Sequence, residues 1–86
     1  MSKVIIIGTT VDGRKFRPSD WAQRLATAVG TPGTDRRIHF HPKVKIASIA
    51  GINCVVVDKS LEDDEPMLFA FLVDFADSNQ LQMEQE

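Results

Sequence analysis

Apolar and polar positions alternate along much of the chain with the period of strands, and twice they change to the period of helices. Residues 4–9 are β-branched and apolar on both alternating sets, which predicts a strand buried on both faces or lying centrally in a sheet. Asp12-Gly13 is a hairpin signal, because both residues tolerate positive φ, so residues 14–17 are expected to return as a short strand. Ser19 offers a helix N-cap, with Pro18 before it and Asp20 well placed at the positive end of the helix dipole. Trp21, Leu25 and Ala28 or Val29 recur at helical spacing, with Gln23, Arg24 and Thr27 facing out. The helix is expected to run to about Val29 and stop at Gly30. Residues 30–35 read as a loop.

Residues 36–41 alternate cleanly, Ile38 and Phe40 against Arg37, His39 and His41, and predict a half-buried strand near an edge. Residues 44–49 form another strand, with Val44 and Ile46 opposing Lys45, Ala47 and Ile49. Ala50-Gly51 turns it into residues 52–58, which are apolar on both faces and so are expected at the centre. Residues 60–65 are an acidic turn, and Pro66 suits the first position of a helix reaching about Asn79. The apolar side chains of that helix span an arc of roughly 200°, wider than the ~100° stripe that one sheet covers. Phe69 and Val73 lie at one border of the arc and are the self-association candidates. Residues 81–86 show no periodicity beyond Leu81 and Met83 and are expected to be a frayed acidic tail on a domain of residues 1–80. The reading is α+β: a two-layer fold with a mostly antiparallel sheet of four to five strands and two helices, in the order β(β)αβββα.

With 86 residues, 43% of them hydrophobic and 26% charged, the chain has the size and balance of one folded domain. The single cysteine, Cys54, excludes an intrachain disulfide and reads as a small core residue. The four-residue apolar run before Gly8 is too short for a signal-peptide core or a membrane span. These points lead to the expectation of a reducing, cytoplasmic setting with no membrane partner.

The net charge of −2 conceals a division: residues 14–45 carry eight basic side chains against two acidic, and residues 58–86 carry nine acidic against Lys59 alone. Such sectors arise as solvated faces that partly neutralise each other. They also arise as an anion-binding surface beside a self-association surface.

The segment Gly13 to Trp21, GRKFRPSDW, brings three cations and an aromatic to a capped helix start, where backbone N–H groups and the dipole favour anions. The anion or nucleic-acid candidates are therefore Arg14, Lys15, Arg17, Ser19, Arg36 and Arg37. Against this, Phe16 and Trp21 serve equally as core, and Ser19 as a plain cap. Gly8-Thr9-Thr10 lacks the spacing of a nucleotide loop, so no cofactor is expected. His39 and His41 share a strand face without a third ligand, and the acidic run 62–65 lacks the spacing of a calcium loop, so no metal is expected either. No catalytic triad can be assembled.

The stretches Gly13 to Leu25 (GRKFRPSDWAQRL), Gly51 to Asp58 (GINCVVVD) and Phe71 to Leu81, with its FADSNQL ending, together resemble a small uncharacterised bacterial protein family with an FRPSDWAERL-type motif. Gln23 stands where that motif has glutamate. The resemblance implies a shared single-domain fold and brings no activity or site residue with it. Two functional readings follow: a non-enzymatic binding module for a protein partner, a second copy, or nucleic acid through the basic sector, and alternatively a small enzyme or ligand sensor with an anion pocket at GRKFRPSDW.

Overall fold

Two strands that are apolar on both faces occupy the centre of the sheet, where their neighbours shield both sides. The computed structural model describes residues 2–17, 20–32, 38–39 and 41–86. Its elements are β1 (Lys3–Thr10), α1 (Trp21–Ala28), β2 (Thr31–Pro32), β3 (Ile38–His39), β4 (Val44–Ile49), β5 (Ile52–Asp58), α2 (Leu61–Asp64), α3 (Pro66–Ser78) and β6 (Leu81–Gln85). The main sheet is antiparallel with strand order β4-β5-β1-β6, and β2 pairs with β3 in a separate ribbon. This is the α+β, two-layer arrangement that the patterning predicts.

One face of the sheet carries the core. Val4 and Ile6 of β1, Val55 and Val57 of β5, and Val44 of β4 pack with Trp21, Ala22, Leu25 and Ala26 of α1 and with Leu61, Leu72, Ala76 and Leu81. Ile6, Leu61 and Leu72 are fully buried, and each such side chain stabilises by about 1.5–3 kcal/mol through transfer from water. Gly8 lies on the same face under the Trp21 indole. An added Cβ there would stand 2.5 Å from the Asn53 carbonyl oxygen and 2.9 Å from Trp21 Nε1, so only glycine lets the ring approach.

The ends of the elements differ from the sequence expectations for local reasons. The expected strand over residues 14–17 is reduced to one bridge, Thr9 to Lys15, because the Asp12-Gly13 turn (Gly13 φ 88°) leads the chain away toward α1. Asp20 occupies the N-cap of α1 without a side-chain capping bond and instead accepts from Arg24 Nε at 2.9 Å. Ser19 lies outside the described residues, as do Arg36, Arg37 and Phe40. Within the strand expected over residues 36–41, Ile38 and His39 pair with β2 and not with the main sheet.

Residues 81–85 are a strand and not a frayed tail. Leu81 is buried, and β6 pairs along β1 through Val4–Gln85, Ile5–Glu84 and Ile6–Met83. The physical reason is that β1 would otherwise present an unpaired edge beside the core. Gln80, at φ 56°, turns α3 into β6, and mutual backbone bonds between Lys3 and Glu86 extend the ladder to the last residue.

Candidate functional site

Three aromatic rings meet where α1 and α3 lie side by side. Phe16 is delivered by the segment after the β1 turn, where its N–H donates to the Gly8 carbonyl at 3.0 Å. Its ring stands edge-on to Trp21 (5.6 Å between centroids) and to Phe75 (6.1 Å), while Trp21 and Phe75 stack at 6.0 Å. Pairs of this kind add about 0.5–1.5 kcal/mol beyond area burial. They also fix the walls of a groove of about 290 Å³, lined by Phe16, Trp21, Arg24, Leu25, Ala28, Phe71 and Phe75.

The groove follows from two helical repeats facing each other. Trp21, Arg24, Leu25 and Ala28 fall at i, i+3, i+4 and i+7 on α1, and Phe71 and Phe75 fall at i and i+4 on α3. Phe71 is 45% exposed, a large aromatic at the mouth of an apolar hollow. Among the described residues Arg24 is the only charged side chain of the lining, and its guanidinium is held at the rim by Asp20 at 2.9 Å, with both partners largely exposed. The volume falls just below the range of ~300–1,000 Å³ typical of small-molecule sites, so the hollow suits one bulky apolar side chain better than a cofactor.

The candidates named from sequence are placed as follows. Arg14 is solvent-exposed, with its Nε 3.5 Å from Asp12 and its N–H donating to Thr10 Oγ1. Lys15 and Arg17 are exposed on either side of Phe16. Lys43 and Lys45 enter β4 at the opposite end of the sheet, since Val44 pairs with Val57 and Val57 with Val4, whereas Arg14 follows the far end of β1. At ~3.4 Å per residue these two groups of cations are roughly 20 Å apart. Phe69 and Val73 are half-buried on α3, and Phe69 packs against the core. Both line a second groove of about 450 Å³ with Val4, Met83 and Gln85. The surplus apolar arc of α3 thus divides between the aromatic cluster on one side and the β6 groove on the other.

A polar cluster ties the start of β4 to α2. Lys43 Nζ donates to Asp64 and, at 2.8 Å, to Ser60 Oγ, while Ser60 donates from Oγ (2.9 Å) and from N–H (3.0 Å) to Asp58 Oδ1. The hydrogen bond to Asp64 holds the Lys43 ammonium above its usual pKa, and the two bonds from Ser60 hold the Asp58 carboxyl below its own. The Ser60 hydroxyl sits between a cation that donates to it and a carboxylate that accepts from it. His41 Nδ1 accepts the Lys43 N–H at 3.1 Å, leaving Nε2 to donate to Glu65 at 2.5 Å. The acidic turn is therefore a clamp on the β4 entry. Among the described residues no group of His, Cys, Asp and Glu is arranged to hold a metal, and no helix is long and apolar enough to cross a membrane.

Sequence reasoning placed Arg24 outward and Phe16 and Trp21 in the core, but it did not join them to Phe71 and Phe75. The i, i+4 spacing of Phe71 and Phe75 was the available signal.

Comparison with known proteins supplies a family. Residues 1–86 match the family described as "Protein of unknown function (DUF3579)". A solution structure, described as the first structural representative of its family, is 38% identical and superposes with a TM-score of 0.92, covering 99% of this chain and 79% of that one. No curated protein matches.

Proposed function

The chain belongs to the family of proteins of unknown function DUF3579, and from that premise we propose that it is a non-enzymatic interaction module of the bacterial cytoplasm that docks a protein partner in the α1–α3 groove. The observation that carries this reading is the exposed Phe71 at the mouth of a hollow walled by Phe16, Trp21 and Phe75, with Arg24 at its rim. Such an arrangement takes a bulky apolar side chain and sets the Arg24–Asp20 pair at the rim, where the remaining guanidinium N–H groups of Arg24 can donate to an acidic neighbour in the partner segment. Arg17 follows Phe16 and adds to the same sign of charge. The occupant is thus a short acidic segment of a protein with one aromatic or branched anchor. A nucleic-acid partner would draw on Arg14, Lys15 and Arg17 at one end of the sheet without Lys43, which Asp64 engages at the other.

The test is selection of binding peptides from a random library, followed by titration read through Trp21 fluorescence. Selected peptides should carry an apolar anchor flanked by Asp or Glu and should perturb Trp21. Ala28→Phe, which fills the groove from an exposed position, should abolish binding with the melting temperature retained. Peptides that bind Ala28→Phe as well as they bind the parent chain would refute the reading.

A further inference from the structure

The face of the sheet opposite the helices has an ordered pattern of charge. Reading across the strands in the order β4, β5, β1, β6, one row is Lys45, Val56, Ile5 and Glu84, since Lys45 pairs with Val56, Val56 with Ile5 and Ile5 with Glu84. The row beside it is Lys43, Asp58, Lys3 and Glu86, joined by the Lys3–Asp58 pair and by backbone bonds from Asp58 to Lys43 and between Lys3 and Glu86. Lys3, Lys43, Lys45, Val56 and Asp58 line one shallow hollow, which places their side chains on the same face. Toward the other end the face is apolar: Ile7 and Ala47 are half-exposed around the buried Cys54, and Ile49 is 48% exposed.

Both rows change sign when they are reversed. The first reads positive, neutral, neutral, negative, and the second positive, negative, positive, negative; with the Lys43 ammonium held by Asp64 and Ser60, the complementarity rests on Lys45 with Glu84 and on Lys3 with Asp58. We propose that this face binds a second copy of the chain, sheet to sheet, about a two-fold axis parallel to the strands. That rotation reverses the order of strands over the partner, so that Lys45 of one copy faces Glu84 of the other, and Asp58 faces Lys3, while the half-buried Val56 of each copy lies over the buried Ile5 of the other. An axis perpendicular to the strands would instead set β4 over β4 and reverse the strand direction, so that the charged rows meet like charges or lie over the apolar end and Lys45 never faces Glu84; the sign pattern selects the first of the two aligned arrangements. A crossing of about 30° between the sheets displaces the edge strands by roughly one residue, within the reach of a lysine.

Four strands of about seven residues give a footprint of roughly 450 Å². That is below the ~800 Å² per partner of a standard interface, so the dimer is of the weak, concentration-dependent kind. Both α1–α3 grooves remain on its outer surfaces, which makes it bivalent. The dimer does not depend on the groove having a ligand.

The experiment is sedimentation velocity on the full chain from about one to several hundred micromolar, with variants that alter only exposed charges. The parent should dimerise, and Lys45→Glu and Glu84→Lys should each weaken association about tenfold or more, since each turns two attractions into repulsions. The double variant carrying both changes should recover dimerisation, which the perpendicular arrangement does not predict. A parent chain that is monomeric throughout the range would overturn the proposal. So would a dimer indifferent to both single changes, or one that the double variant fails to restore. Dissociation by Phe69→Lys together with indifference to the charge changes would place the interface on α3 instead.

Discussion

Gly8→Ala is a one-carbon change whose consequence follows from two distances. The new Cβ would lie 2.5 Å from the carbonyl oxygen of Asn53 and 2.9 Å from Trp21 Nε1, with Trp21 Cζ2 at 3.2 Å. Ordinary contacts begin near 3.4 Å, so both neighbours must move. Trp21 is not free to do so, because Phe16 stands against one edge of it and Phe75 is stacked on its face. Asn53 is equally fixed, since it pairs with Ser48 within the β4–β5 ladder. Overpacking of this kind costs about 1–3 kcal/mol, and the backbone partner argues for the upper half of that range. For a domain of this size each kcal/mol shifts the melting temperature by about 4–8 °C, so a fall of roughly 8–24 °C is expected.

The assay is thermal unfolding by circular dichroism, with a second variant to apportion the clash. Trp21→Leu removes the indole and creates its own cavity, but in that background Gly8→Ala meets only the Asn53 carbonyl. Its further cost should therefore be smaller than in the parent, a coupling that a double-mutant cycle measures directly. A Gly8→Ala chain that melts within about 2 °C of the parent would refute the close approach of α1 to β1, and with it the position of the groove wall.

Three further outcomes are expected. Trp21→Ala should destabilise by about 3–5 kcal/mol, read by denaturant unfolding, because a buried aromatic is removed from a small core. Leu81→Ala should cost about 2–5 kcal/mol by the same measurement, whereas a frayed tail would tolerate it without change. Stability should also decline at both pH extremes. The lowered Asp58 contributes above its ordinary value of 3.8 and loses that contribution as pH falls through its folded value, and the raised Lys43 contributes below 10.5 and loses it as pH rises through its own. Ser60→Ala should flatten the acid limb in part, leaving the backbone N–H bond to Asp58, and Asp64→Asn should flatten the alkaline limb; melting profiles against pH check both.

Local chemistry made most elements legible. The two-sided apolar runs of β1 and β5 announced central strands, Ala50-Gly51 announced the hairpin between β4 and β5, and Pro66 marked the first residue of α3. Leu81 was visible too, but five residues of Gln, Glu, Leu and Met carry little strand propensity of their own. β6 exists because β1 offers an edge and Leu81 a place in the core, and both conditions are tertiary. The short return strand failed for the converse reason: a good turn at Asp12-Gly13 does not oblige the residues after it to pair.

The two surfaces proposed for binding differ in what sequence could have revealed. Each wall of the groove has a helical repeat of its own, but Phe16 and Phe75 are separated by 59 positions and only the packing of α1 beside α3 joins them. The charge order of the open sheet face is hidden more deeply. Lys3, Lys43, Lys45, Asp58, Glu84 and Glu86 come from four strands, and in chain order they read as a basic middle and an acidic end. Only the strand order β4-β5-β1-β6 converts that division into rows that run from positive at one edge to negative at the other, and strand order is set by which edges the core requires to be covered, not by any local signal. On this face folding interleaves the two signs, while Arg14, Lys15 and Arg17 stand together at the other end of the sheet. An interleaved face holds polyanions weakly. Its ordered reversal fits it to a second copy of itself.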